Sequence, residues 1–354
     1  MSAENRSILI EKQKIGAEHP PFIIAEMSGN HNQSLDRALA IVDAATKSGA
    51  HAIKLQTYTP DTMTLDINEG EFRIDDPNSP WYGRSLYDLY QEAHTPWHWI
   101  ETIFARCEEL GIICFSSVFD ATSVDFLEGL GTPAYKIASF ENVDIPLIQK
   151  AASTGKPLII STGMATLAEL DDAVRAARGA GCKNLILLKC TSSYPASPKD
   201  SNVRSIPHLA DLFNVQVGIS DHTLGIGAAV ASTALGATVI EKHLTLNRTQ
   251  GGVDSAFSLE PTEFATLVQE ATRAWSSLGA INYEPSQAEI RSKRLRRSLY
   301  VVADMEPGDI FTLQNVRAIR PGYGLHTGFL EHVLGRTAKE AVAAGTPLTW
   351  ELLT

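Results

Sequence analysis

A (β/α)8 TIM barrel followed by a small β-rich domain is the fold predicted by three features of this 354-residue chain. Short apolar runs of strand length alternate with amphipathic segments eight times over, the order that builds a parallel sheet covered by helices. The runs end in polar or ionisable residues, and barrels keep their chemistry at the carboxyl ends of their strands. Near Ala280 the pattern breaks into a polar, basic stretch and then into shorter segments.

The first strand is Phe22–Glu26 (FIIAE), bounded by Pro20-Pro21 and ending in an acid. A polar SGNHNQ loop leads to a helix over residues 34–48, with Leu35, Leu39, Val42 and Ala45 on one side. The second strand spans residues 51–57 (HAIKLQT); the two-residue period puts Lys54 and Gln56 on one face and Ile53 and Leu55 on the other. A lysine facing inward needs a partner or a ligand, because a bare buried ammonium is costly. Residues 58–95 form a long insertion rich in aspartate, aromatics and proline, with a helix over 85–93; inside a compact barrel such a loop serves as a lid or specificity element. A helix over 96–110 follows, with Thr95 expected at its N-cap and Pro96 at its first position.

The third strand (112–116) ends in Ser116-Ser117, and a helix over 121–130 leads to the fourth, AYKIA (134–138). There Lys136 sits mid-strand, with Ser139, Glu141 and Asn142 following at the rim. A helix (145–153), a strand ending in Ser161-Thr162-Gly163, a helix (167–180) and a strand (184–190) ending before Thr191-Ser192-Ser193-Tyr194-Pro195 continue the alternation. After a helix over 203–212 come two strands joined by a glycine- and alanine-rich helix, a βαβ unit. One strand ends in Ser220-Asp221-His222 and the other in Glu241-Lys242-His243, so two histidines stand side by side at one rim. A helix over 262–278 completes the set. The expected organisation is a catalytic barrel over residues 1–280, a linker over 281–297 with five basic residues between Arg291 and Arg297, and a small domain over 298–354. At about 60 residues the last unit is near the lower limit for independent stability, so support from the barrel or another subunit is expected.

Composition narrows the class. A net charge of -11 argues against general nucleic-acid binding, and no run reaches the roughly 18 apolar residues of a membrane span. The leading MSAENRSILI lacks the basic flank and apolar core of a secretion signal. Four cysteines, Cys107, Cys114, Cys182 and Cys190, show no C-x-x-C spacing, which fits a reduced cytoplasmic protein.

Lys54, Lys136, Ser116, Ser117, Ser139 and Ser161 supply ammonium and hydroxyl donors to one rim, a set suited to a phosphate or carboxylate anion. His222 and His243 suit a divalent transition metal with open positions, or else a general acid–base pair. Glu26, Glu141 and Asp254 are the acids available for moving protons or binding sugar hydroxyls. Anion site, open metal and carboxylate together point to carbon–carbon chemistry on a carbonyl.

The ordered segments AE-x-SGNHN, K-x-QTY, FSS-x-FD, YKIAS-x-E, ISTGM, CTSSYP, GISDHT and EKHLT resemble the sialic acid synthase family (nonulosonic acid synthases) across the whole chain. That family joins its barrel to a C-terminal domain similar to type III antifreeze proteins (SAF), and residues 298–354, with Arg320-Pro321-Gly322, resemble it. Within the family, SLYDLYQEAHTPW, KCTSSYP and GVDSAFSLEP are most similar to its pseudaminic acid branch, whereas Thr191-Ser192-Ser193 departs from the Thr-Asn pattern of the N-acetylneuraminate branch. The resemblance implies condensation of phosphoenolpyruvate with an open-chain diacetamido sugar, releasing phosphate. It implies phosphoenolpyruvate contacts from Lys54, Ser117, Lys136, Ser139, Ser161, Ser192, Ser220 and Arg320, and sugar contacts from Gln56, Glu141, Tyr194 and Asp254. Glu26 becomes the proton-handling residue, and His222 and His243 the ligands of a divalent ion, Mn²⁺ first, with Mg²⁺ or Co²⁺ as alternatives. It also implies a domain-exchanged homodimer in which Arg320 reaches the partner's barrel. A legionaminic or N-acetylneuraminate synthase shares this chemistry with a different sugar. A metal-dependent pyruvate aldolase and a non-catalytic sugar-binding protein are the readings from other classes.

Overall fold

The computed structural model describes residues 7–77 and 79–354; the leading residues 1–6, part of the segment read above as carrying no secretion signal, lie outside the described residues. Two compact units divide between Gly279 and Ala280. In the first, eight parallel strands close into a barrel: β3 (Phe22–Glu26), β4 (Ala52–Thr57), β5 (Ile113–Val118), β6 (Tyr135–Ile137), β7 (Leu158–Ser161), β8 (Leu185–Cys190), β9 (Gln216–Asp221) and β10 (Val239–His243). They are preceded by a short antiparallel hairpin, β1 (Ile8–Ile10) and β2 (Gln13–Ile15). Strand β10 pairs with β3 and sets His243 beside Glu26, closing the ring.

The two-residue period sorts each strand into two environments. Outward side chains such as Ile23, Ile53, Leu55, Tyr135, Ile160, Leu187 and Ile240 pack on the surrounding helices. Inward ones, including Phe22, Ile24, Ala52, Ile113, Phe115, Ile159, Ile186, Leu188 and Val239, fill the barrel, as stacked side-chain layers do in this architecture. Ile8, Ile10 and Ile15 of the hairpin join that inner cluster and close the end of the barrel opposite the strand termini. Strands of three residues give no readable period, and sequence reasoning missed this plug. The inward positions nearest the carboxyl ends are polar in every strand but β8, whose last inward side chain is Cys190.

Helices alternate with the strands as expected, with boundaries moved by one or two residues. One shift has a chemical cause. The helix expected from Pro96, capped by Thr95, begins instead at Trp97, with Pro96 at the N-cap. Thr95 is fully buried and its hydroxyl lies 3.3 Å from His31 Nε2, so it is committed to the loop after β3 and unavailable to the helix. The insertion over 58–95 carries a one-turn helix (Pro60–Met63) and the helix Leu86–Ala93, whose N-cap Ser85 accepts from the Asp88 amide.

In the second unit, β11 (Ser298–Val301) pairs antiparallel with β12 (Val316–Ile319), and single bridges tie Tyr300 to Pro347 and Met305 to Val342. Leu299, Val301, Met305, Phe311, Val316, Val333, Val342 and Leu348 form its own core. Part of the expected linker is ordered: Gln287–Ser292 is helical, with Ser286 and Glu289 forming a capping box. The exposed Arg320 precedes a turn whose Gly322 amide donates to the Arg294 carbonyl at 3.0 Å.

Candidate active site

A cavity of about 470 Å³ opens at the carboxyl ends of the strands. Its walls draw on all eight strands or the loops that follow them: Glu26, Lys54, Gln56, Ser117, Lys136, Ser139, Glu141, Ser161, Tyr194, Ser220, His222, His243 and Asp254 all face it. Of the barrel residues singled out above, only Ser192 and Ser116 lie off the wall. Ser192 Oγ sits 3.6 Å from the Cys190 thiol, and Ser116 turns outward to Thr57 at 2.7 Å. Arg320 belongs to the other unit.

The floor is a buried charge cluster. Lys54 Nζ lies 2.5 Å from Glu26 Oε2 and donates to Ser117 Oγ at 2.8 Å. Lys136 Nζ donates to Ser161 Oγ at 2.7 Å and to the Ile137 carbonyl. Between the ammoniums stands Glu241, 3.7 Å from Lys54 and 4.0 Å from Lys136, accepting from Ser220 Oγ at 3.1 Å. Sequence reasoning passed over Glu241, since an acid in the run Glu-Lys-His reads as solvated; its place inward of strand β10, two residues before His243, was the available signal. Lys242, between them, points outward and is spent on Asp221 at 2.8 Å. A buried ion cluster of this kind is seldom more stable than apolar packing of the same volume, so its retention argues for chemistry rather than folding.

The acids differ in their environments. Burial raises the Glu26 carboxyl, Lys54 opposes the rise, Glu241 adds to it, and it titrates at about 7. Burial likewise raises Glu141 to about 7, and its Oε2 makes no hydrogen bond among the described residues. For Glu241 burial also pushes upward, but Lys136, Lys54 and His222 outweigh it and hold the carboxyl below its usual value. Burial outweighs Glu241 at Lys136 and lowers its ammonium, whereas at Lys54 the carboxylates Glu241 and Glu26 outweigh burial and raise it, so Lys54 is the firm cation of the cluster and Glu241 its firm carboxylate. Ammonium and hydroxyl donors converge here on one buried floor, a set suited to an anion.

Above the floor the two histidines stand with ring centres 5.3 Å apart. His222 Nδ1 faces the Thr191 carbonyl at 3.1 Å; a carbonyl only accepts, so Nδ1 carries a proton and Nε2 is the ring nitrogen left for a metal. Burial and the neighbouring cations hold His243 well below its usual value, hence neutral, and its buried Nδ1 makes no hydrogen bond among the described residues. Burial lowers the His222 imidazole, but the Cys190 thiol and the Thr191 carbonyl outweigh it and hold the ring above its usual value. A bound divalent cation would take the place of that proton, and His243 offers it an orphaned neutral nitrogen, although among the described residues no group of three or more His, Cys, Asp or Glu side chains is arranged as a metal site. Tyr194 packs on His222 (4.6 Å), Phe257 (5.3 Å) and Trp81 (5.8 Å). Trp81 belongs to the 58–95 insertion, which also contributes Met63, Ile74, Leu86, Leu89 and Tyr90 to the cavity wall.

Gly163 shows how tightly the serine side of the cavity is built. A Cβ there would lie 2.1 Å from Ser192 Oγ and 2.6 Å from Ser139 Oγ, and the Gly163 amide donates to Ser139 Oγ at 3.2 Å.

Comparison with known proteins agrees with this architecture. Residues 41–283 match the NeuB family and residues 296–354 match the SAF domain. The chain is 41% identical over 331 residues to the pseudaminic acid synthase of Helicobacter pylori, covering 93% of this chain and 97% of that protein. It is 42% identical over 327 residues to a pseudaminic acid synthase of Campylobacter jejuni, covering 92% and 95% respectively. Among solved structures, the N-acetylneuraminic acid (sialic acid) synthetase of Leptospira borgpetersenii, determined with citrate, aligns with a TM-score of 0.73 and 32% identity over 81% of this chain and 95% of that one. With the full-length relatives, the matched domains and the same barrel all in agreement, this chain belongs to the NeuB family.

Proposed function

We propose that this chain is a pseudaminic acid synthase, condensing phosphoenolpyruvate with 2,4-diacetamido-2,4,6-trideoxy-L-altrose to give pseudaminic acid and phosphate. The observation that carries the reading is the pairing of Lys54 with Ser117 and Lys136 with Ser161, in one buried cavity with a carboxyl, Glu26, that titrates at about 7. Two relatives of that name at 41% and 42% identity support the choice of sugar.

In this reaction C3 of phosphoenolpyruvate bonds to the aldehyde carbon, the aldehyde oxygen takes up a proton, water adds at C2, and phosphate leaves by cleavage of the C2–O bond. Lys54, Lys136, Ser117, Ser139, Ser161 and Ser220 bind the phosphate and carboxylate, with Ser192 behind them against Cys190; Glu26 moves the proton. Gln56, which donates to Glu26 Oε1 at 3.0 Å, lies with Glu141, Tyr194 and Asp254 toward the sugar. His222 and His243 would hold a divalent ion, Mn²⁺ in our reading, which supplies Lewis-acid polarisation of the aldehyde when bound. Addition of Mn²⁺ should raise the melting temperature of the wild-type chain and not that of a His222→Ala, His243→Ala double variant; equal shifts would remove the metal from these residues. The assembly we propose is a domain-exchanged homodimer in the cytoplasm, where phosphoenolpyruvate is made.

The test is phosphate release from phosphoenolpyruvate and Mn²⁺ across a sugar panel. Release with the diacetamido altrose and little with N-acetylmannosamine or the legionaminic acid precursor is expected. The reverse preference would change the sugar, and product formed from pyruvate without phosphate would make the protein an aldolase.

A further inference from the structure

The loop after β3 holds a strained residue that the proposed reaction leaves unused. Ser28 is buried and faces the cavity, yet its φ is +47°, a left-handed conformation that side chains other than glycine rarely adopt. Such strain persists only where surrounding contacts enforce it, and it gathers at functional sites. Here the contacts are visible. The Ser28 hydroxyl donates a hydrogen bond to Asp254 Oδ2, and the Gly29 amide is turned toward the same carboxyl and favours its charged form. One left-handed residue thus turns two consecutive donors onto a single acid.

Neighbouring packing leaves the loop little freedom. A Cβ on Gly29 would meet the Ala93 Cα at 3.0 Å, at the end of the insertion's helix. Asn30 donates to the Leu244 carbonyl at 3.0 Å and to Ser258 Oγ at 2.9 Å, tying the same loop to the segments on either side of Asp254. Asp254 Oδ2 lies 3.8 Å from the orphaned His243 Nδ1. The carboxylate is therefore fixed between the loop and the histidine pair, on the cavity wall.

We infer that Ser28 is a positioning residue that sets the Asp254 carboxylate for sugar recognition, the strained backbone being the cost of aiming its hydroxyl. The inference rests on the proposed function insofar as Asp254 faces the sugar. It separates two roles that a buried serine could have. A merely structural serine would lower stability when lost and affect both substrates alike. A positioning serine would lower sugar use selectively, even in a variant that relieves the strain.

Ser28→Gly and Ser28→Ala make the distinction, because both lose the hydroxyl while only glycine is at ease at this φ. Both variants should lose about 10–100-fold in kcat/KM for the sugar, the range of one hydrogen bond to a charged group, with KM for phosphoenolpyruvate within about twofold of wild type. The glycine chain should melt above the alanine chain. Sugar kcat/KM unchanged in Ser28→Gly, or equal losses for both substrates, would overturn the inference. An alanine chain at least as stable as the glycine chain would overturn the strain argument, and this arm needs no substrate. Wild-type enzyme assayed in parallel keeps the questions apart: if it releases no phosphate with any sugar of the panel, the proposed function fails, whereas wild-type turnover beside an unimpaired Ser28→Gly overturns the role of Ser28 alone.

Discussion

Glu26 is the residue on which the chemistry and the pH response meet. Its carboxyl titrates at about 7 in the fold against a usual 4.5, so between those values the folded chain holds a proton that the unfolded chain has released. Its contribution to stability therefore falls as pH rises from about 4.5 to 7. Glu26→Gln removes this term, so the variant's melting temperature relative to wild type should be higher at pH 8 than at pH 5; a gap that does not move with pH would contradict the raised carboxyl. The same variant should lose at least ~100-fold in kcat, the usual scale for a positioned acid or base, and with it any inflection near pH 7 in the activity profile. The lysines behave differently. Lys54→Met and Lys136→Met each remove a point charge from the anion site and should raise KM for phosphoenolpyruvate about tenfold or more, with a smaller change for the sugar. Equal effects in steady-state kinetics would put the lysines at the wrong end of the cavity. Both lysines were legible in the sequence because a strand's period fixes which way a side chain points. Ser28 was not, since its partner lies 226 positions away and strand period says nothing of loops.

At the scale of elements, the alternation of strands and helices could be read from apolar period, the two faces of β4 from its two-residue alternation, and the insertion over 58–95 from its length and composition. The exceptions have local causes. Thr95 is a good cap by type, but its hydroxyl is taken by His31, a tertiary partner that no window of sequence contains. The β1–β2 hairpin escaped notice because three-residue strands are too short to show a pattern, although it supplies Ile8, Ile10 and Ile15 to the barrel interior. That role can be isolated. Ile10 is fully buried, and Ile10→Ala should cost about 2–4 kcal/mol through lost burial and the cavity left behind. Denaturant unfolding would read this loss, while kcat/KM should stay near wild type because the hairpin sits at the end of the barrel away from the site. A large fall in activity without loss of stability would mean that the plug shapes the site from below.

For the molecule as a whole, the proposed domain exchange makes a prediction about how many chains build one site. Arg320 is exposed in a unit with its own core, next to a turn anchored on the Arg294 carbonyl. An arginine brought over the rim would neutralise substrate anion and help to exclude water. If it comes from a second subunit, mixing an Arg320→Ala chain with a Glu26→Ala chain, each nearly inactive, should restore activity toward half of wild type per heterodimer. Verified reassembly without recovery would place the arginine in its own chain's site or outside catalysis.

Closure of the barrel has a temporal meaning as well. Glu26 ends the first barrel strand and His243 the last, and they become neighbours only through the pairing of β3 with β10. Contacts so distant along the chain form late, because the intervening loop must be closed before it is rewarded. During synthesis the acid would leave the ribosome more than two hundred residues before its companion. A half-made chain thus has both lysines with Ser117, Ser139 and Ser161 but no means of uniting the acid with the histidine pair. Catalytic competence would arrive in one step, at the moment the ring shuts.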